Sequence, residues 1–131
     1  LEGINKVYGT YVMVSESIYE KAKDKFLFRL VDVVAVKGKE KGVKIYQMIG
    51  KYNDTIAESV TPQDISSAMK TQVAFEAYVK QKWDDAERLY NQLLTETPDD
   101  KIAALYLKRI AEFRKNPPGP SWDGVTHLLT K

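Results

Sequence analysis

Apolar and polar positions alternate in two different periods along this chain, and the change of period divides it. Tyr11-Val12-Met13-Val14 is rich in β-formers and reads as a strand. Ser15 or Ser17 can cap a helix over Ile18 to Lys25, with Ser17 and Glu20 at capping-box spacing. Phe26 to Val36 is a long run dense in Val, Leu and Phe, and Val43 to Ile49 alternates in the period of a half-buried strand. The glycines and charges of Lys37-Gly38-Lys39-Glu40-Lys41-Gly42 between them predict the turn of an antiparallel hairpin.

After Gly50 the pattern changes. Residues 51–60 are polar without a clear period and read as a connector, and Thr61-Pro62 then starts a helix with proline at its first position. From Ile65 onward apolar residues recur at helical spacing: Val73, Ala77 and Val79, then Ala86, Leu89, Tyr90, Leu93 and Leu94. Pro98 interrupts them. Asp99 can cap a third helix through Ile102, Leu105, Tyr106, Ile110 and Phe113, which stops before Asn116-Pro117-Pro118-Gly119-Pro120. The fold class expected is therefore α+β, an α/β section followed by an all-α one.

Composition narrows the functions. Lys and Arg total 20 against 18 acids, a net charge of +2, and the cations are dispersed, which argues against nucleic acid as the main partner. The absence of cysteine excludes disulfides, thiolate metal sites and a cysteine nucleophile, and fits a cytoplasmic chain. His127 stands alone without a second histidine at ligand spacing, so it reads as structural or surface. No apolar run reaches the roughly 20 residues that span a bilayer. Leu1 opens a stretch, residues 1–9, that reads as the last turns of a helix ending at Gly9, which predicts a fragment of something longer. Asn53-Asp54-Thr55 matches a glycosylation sequon and reads as chance here.

The motifs carry a resemblance. Leu1 to Thr10, then Val14-Ser15-Glu16 and Tyr19, then Phe28-Arg29 through Val34-Ala35-Val36-Lys37-Gly38-Lys39 to Val43-Lys44-Ile45-Tyr46, resemble in order and spacing the end of the class III adenylate and guanylate cyclase domain. The resemblance covers about the first fifty residues and implies a partial cyclase-type sheet with a helix and a hairpin. It also implies that the metal-binding aspartates and the transition-state asparagine and arginine lie upstream, so that Asp24 and Asp32 are not metal ligands and the fragment is inactive alone. Magnesium or manganese and a nucleoside triphosphate are implied for the intact enzyme, a phosphorus-oxygen lyase, and no cofactor for this fragment.

Lys37 matches the hairpin lysine that approaches the substrate phosphates in that family. An ammonium on a short turn beside a glycine suits that task, while Lys39 and Lys41 read as solvated charges. Tyr78, Trp83, Ala86, Tyr90 and Pro98 resemble a tetratricopeptide repeat, with one residue missing before Trp83. The small Ala86 would sit at a close helix crossing, and Trp83 and Tyr90 would fill the space between helices.

The organisation expected is thus a cyclase remnant over 1–50, a connector over 51–60, tetratricopeptide-like helices over 61–116 and a proline-rich tail over 117–131, which also resembles tails of bacterial cyclases of this class. The alternative is a protein-interaction or dimer-supporting module with a partner at the helical tail. A homo-oligomer is expected, because strands around Val12–Val14 and Leu30–Val36 are rich in β-branched residues and, with Asp32 their one charge and no proline, have little of what protects natural sheet edges, unless the helices fold back over the sheet. The choice between ATP and GTP, and any upstream sensor or membrane region, stays open.

Overall fold

The structure, a computed structural model, describes residues 12–35, 41–52 and 60–128. Over these the α+β expectation holds. In chain order the elements are β1 (Met13–Ser15), α1 (Glu16–Ala22), β2 (Phe26–Ala35), β3 (Val43–Lys51), α2 (Pro62–Val79), α3 (Trp83–Glu96), α4 (Lys101–Lys115) and β4 (Thr126–His127). The strands form one mixed sheet in the order β1-β3-β2-β4, in which β4 runs parallel to β2 and the other pairs are antiparallel.

Side-chain alternation gives the sheet two apolar faces. Val14, Phe28 and Tyr46 form one cluster with Tyr19 and Ala22 of α1. The Tyr19 ring stacks on Tyr46 at 3.9 Å and meets Phe28 edge-on. Met13, Val31, Val34 and Ile45 point the other way, into a core completed by α2, α3 and α4. A register shift between Leu30 and Asp32 lets Val31 and Val34 share that face, as expected when a bulge offsets the two-residue period. The sheet is thus covered on both sides, thinly by α1 and thickly by three helices.

Local chemistry explains the helix ends and corrects several expectations. α1 begins two residues earlier than expected because Ser15 caps it by accepting the Ile18 N–H, so Glu20 is placed to pair with Lys23 instead of closing a box with Ser17. Thr61 and Asp64 form a reciprocal capping box at the start of α2, with Pro62 beside it. The cap of α4 is Asp100, not Asp99: its Oδ1 accepts the Ile102 and Ala103 N–H groups. Val73, expected in the core, is 53% exposed, and the inward face of α2 is made of Ala68, Thr71, Ala74, Phe75, Ala77 and Tyr78. Trp83 is half-buried, stacked on Phe113 at 5.4 Å and edge-on to Tyr78.

The chain beyond α4 returns to the sheet. Trp122 packs on Tyr78 and Phe113, and β4 then pairs with Val34 and Ala35, with the Leu128 N–H donating to the Ala35 carbonyl. Just before that point, Tyr106 Oη donates to the Val31 carbonyl and Asp32 Oδ1 accepts the Val33 N–H. The edge expected to lie open around Leu30 is therefore met by β4 and by side chains, and the helices lie over the sheet.

Gly124 makes the return possible. Its φ is +78°, and a Cβ there would stand 2.8 Å from Val79 Cγ2. Gly124→Ala should combine left-handed strain with an overpacked contact and destabilise the chain by about 2 kcal/mol, checked by thermal melting against the wild type.

Candidate functional site

β2 and β3 form the two arms of the expected hairpin, and their register ends with Val34 opposite Val43. Lys37, the candidate phosphate contact, lies outside the described residues, as do Gly38 and Lys39. The residues 1–9 expected to end a helix and the Asn53-Asp54-Thr55 sequon lie outside them too. Lys41 is exposed. The base of the hairpin is tightly built: a Cβ on Gly42 would lie 2.7 Å from Val33 Cγ1 and 3.0 Å from Val125 Cγ2, so the C-terminal return packs against it.

The remaining sequence candidates are dispersed. Asp24 lies exposed in the turn after α1. Asp32 is fully buried and faces the Arg109 guanidinium at 2.8 Å. His127 is exposed in β4. Among the described residues no group of three or more His, Cys, Asp or Glu could hold a metal ion.

What the sequence reading missed is a buried polar layer between sheet and helices. Arg29 of β2 donates through Nε to Thr71 Oγ1 at 2.8 Å, through Nη2 to Asp100 Oδ2 at 2.6 Å and through Nη1 to Gln47 Oε1 at 3.4 Å. Asp100 thus caps α4 with one oxygen and binds the strand with the other. Asp32 and Arg109 form the second bridge, with the Arg109 guanidinium 5.0 Å from the Tyr106 ring centre. The signal was present: two charges inside an otherwise apolar ten-residue strand must find partners if the strand is buried. Their partners lie 71 and 77 residues away, at separations no local pattern reveals.

Tyrosines line the same layer. Tyr90 stacks on Tyr106 at 4.7 Å, and its hydroxyl is buried with no hydrogen-bond partner. Burial, followed by the Asp32 charge, raises its pKa well above the ordinary tyrosine value. Burial also pushes Tyr78 up to about 12, opposed by nearby Arg109, and pushes Tyr46 up to about 12 with help from Tyr19 and Glu16. In the unfolded chain these phenols ionise near pH 10. Between pH 10 and 12 the folded state therefore holds protons that the unfolded state has lost, so stability is full below pH 10 and falls as pH rises to 12. Tyr78 alone should account for about 3 kcal/mol of that loss. Denaturant melts at stepped pH, followed by tyrosinate absorbance, check it: the ionisation of Tyr78 should coincide with unfolding.

A polar cleft of about 340 Å³ opens where Arg29 and Gln47 meet Gln63, Ser67 and the α3–α4 turn, but the hydrogen bonds of Arg29 to Thr71, Gln47 and Asp100 make it part of the buried layer. A second, of about 410 Å³, lies between α1 and α2 and is lined by Tyr19, Phe28, Tyr46, Ile65 and Met69, with Glu16 and Glu20 at its rim.

Comparison with known proteins gives a partial match. No protein-family model matches the chain. No solved structure matches it either. Over 50 residues, 38% of this chain, it is 38% identical to adenylate cyclase 1 of Rhizobium meliloti (strain 1021). The match spans 8% of that protein's length, so the chain corresponds to a small part of the relative, and what it shares with an adenylate cyclase is a stretch rather than a whole domain.

Proposed function

We propose that this chain is the C-terminal part of a nucleotidyl cyclase that makes cyclic nucleotide from a nucleoside triphosphate, and that this part has no activity by itself. The observation that carries the reading is the 50-residue similarity to adenylate cyclase 1, taken with the Arg29-to-Tyr46 motifs on which the resemblance to class III cyclases rests. The antiparallel pairing of β2 with β3 supports it, since a hairpin is what the motif requires. In this reading Lys37 binds substrate phosphate, and magnesium or manganese is held by residues upstream. The ion would activate the attacking hydroxyl and neutralise phosphate charge. The role of this chain's own residues is to hold the hairpin against a rigid base built from Val33, Gly42 and Val125.

The helical part then serves as support for the sheet. Ala86, Tyr90, Ile102 and Tyr106, which a tetratricopeptide array would turn toward stacked repeats, are buried in the core shared with β2 and β3.

The test uses the full-length polypeptide that contains this sequence. Cyclic nucleotide should form from ATP or GTP with magnesium or manganese, and the chain alone should give none. Lys37→Ala should lower kcat/KM by about 10- to 100-fold, while Lys41→Ala changes it little. Equal effects at the two lysines, or full activity without Lys37, would overturn the assignment.

A further inference from the structure

The turn between α2 and α3 holds Gln81 at a φ of +61°, the one non-glycine residue with a positive φ among the described residues. It follows Lys80, the C-cap of α2, at the position where helices usually place glycine because a Cβ is strained in the left-handed region. Such strain persists where the surroundings over-determine it. Here the Gln81 side chain has a partner: its Nε2 donates to the Gly119 carbonyl at 2.6 Å.

From Gly119 the chain touches first the helical layer and then the hairpin. Trp122 sits among Tyr78, Trp83 and Phe113, with ring centres 5.2, 5.9 and 5.0 Å away. Gly124 lies against Val79, and Val125 against Val33 and Gly42, so that both arms of the hairpin are gripped. The Leu128 N–H then donates to the Ala35 carbonyl at 2.8 Å. Yet this segment is lightly held. Among residues 117–128 only Gly124 is buried, and β4 is a parallel pairing of two residues. Segments with so few buried contacts open at lower free energy than the core beneath them.

We infer that residues 119–128 are a latch, a strap that opens as one unit while the core stays folded. Gln81 and Trp122 hold it at the helical end, and Val125 and Leu128 hold it at the hairpin end. Release at the α2–α3 turn therefore frees the base of the hairpin, and the side chain of Gln81 is kept at a glycine position because it closes the latch. The latch goes beyond the cyclase reading and does not rest on it, since the test is read on the chain itself.

Native-state amide hydrogen exchange followed by NMR tests it. In the wild type the Leu128 amide, corrected for its intrinsic rate, should exchange at least about a hundredfold faster than those of Tyr90 and Tyr106, with a smaller denaturant dependence, as for a local opening that exposes little surface. Equal protection and equal denaturant slopes would mean that the strap parts only when the chain unfolds, which overturns the proposal. Gln81→Gly removes the hydrogen bond and relaxes the backbone in one step, so strap and core should respond oppositely. Exchange at Leu128 should rise about three- to tenfold, although the substitution lies at the other end of the strap, while exchange at Tyr90 and Tyr106 should hold or slow. Gln81→Ala keeps the strain and should raise Leu128 exchange relative to wild type by at least as much, tying the effect to the lost hydrogen bond rather than to glycine's flexibility. No rise at Leu128 in either variant overturns the latch, and so does acceleration of Tyr90 and Tyr106 by the same factor in Gln81→Gly.

Discussion

Replacing Arg109 with alanine is expected to lower stability by about 3–5 kcal/mol, the cost of leaving a buried carboxylate without its counter-charge. Asp32 has no exposure and Arg109 little, so water cannot take over the role of the guanidinium. Native domains hold about 5–15 kcal/mol in total, so the variant should melt at least about 10 °C lower. A double-mutant cycle separates charge from packing. Asp32→Asn keeps an oxygen for the Val33 N–H and removes the charge, and Arg109→Met keeps most of the stem. The pair Asp32→Asn/Arg109→Met should therefore be markedly more stable than the sum of the two single losses. Strict additivity would mean that the bridge couples nothing.

Tyr106→Ala is expected to cost a similar amount, about 3–5 kcal/mol, by a different route. The ring stacks on Tyr90 at 4.7 Å, meets Tyr78 edge-on at 4.7 Å and Phe75 at 6.1 Å, and its hydroxyl donates to the Val31 carbonyl at 2.6 Å. Truncation removes a large apolar volume from the centre of the core and orphans a carbonyl of β2. Tyr106→Phe isolates the second effect and should cost about 1–3 kcal/mol, because the carbonyl is left desolvated. If the phenylalanine variant matches the alanine variant, the ring contacts contribute nothing. If it matches the wild type, the Val31 carbonyl has found another donor.

Both predictions place the joint between sheet and helices at the centre of stability. α4 supplies Asp100, Tyr106 and Arg109, spaced six and three residues apart, and all three engage β2. β2 is thus fastened to the start and middle of α4 by three separate side-chain contacts.

Much of this was legible in the sequence because it is local. The alternation of Val43 to Ile49 and the apolar density of Phe26 to Val36 gave β3 and β2 nearly to the residue, since a two-residue period has few other readings. Thr61-Pro62 and Pro98 bounded α2 and α3 for the same reason: caps and prolines act on their own neighbours. What only the tertiary structure decided depends on residues far apart. Asp99 and Asp100 are equivalent caps on paper, and the choice fell on Asp100, whose second oxygen is bound by Arg29 across the sheet. Val73 keeps the helical period as well as Phe75 does, but α2 turns its other side to β2, and periodicity alone cannot say which of two apolar faces is inward. The bulge at Val31, the pairing of β4 and the burial of Arg29 and Asp32 follow from how the helices close over the sheet, a choice made by the summed packing of both sections rather than by any segment of either.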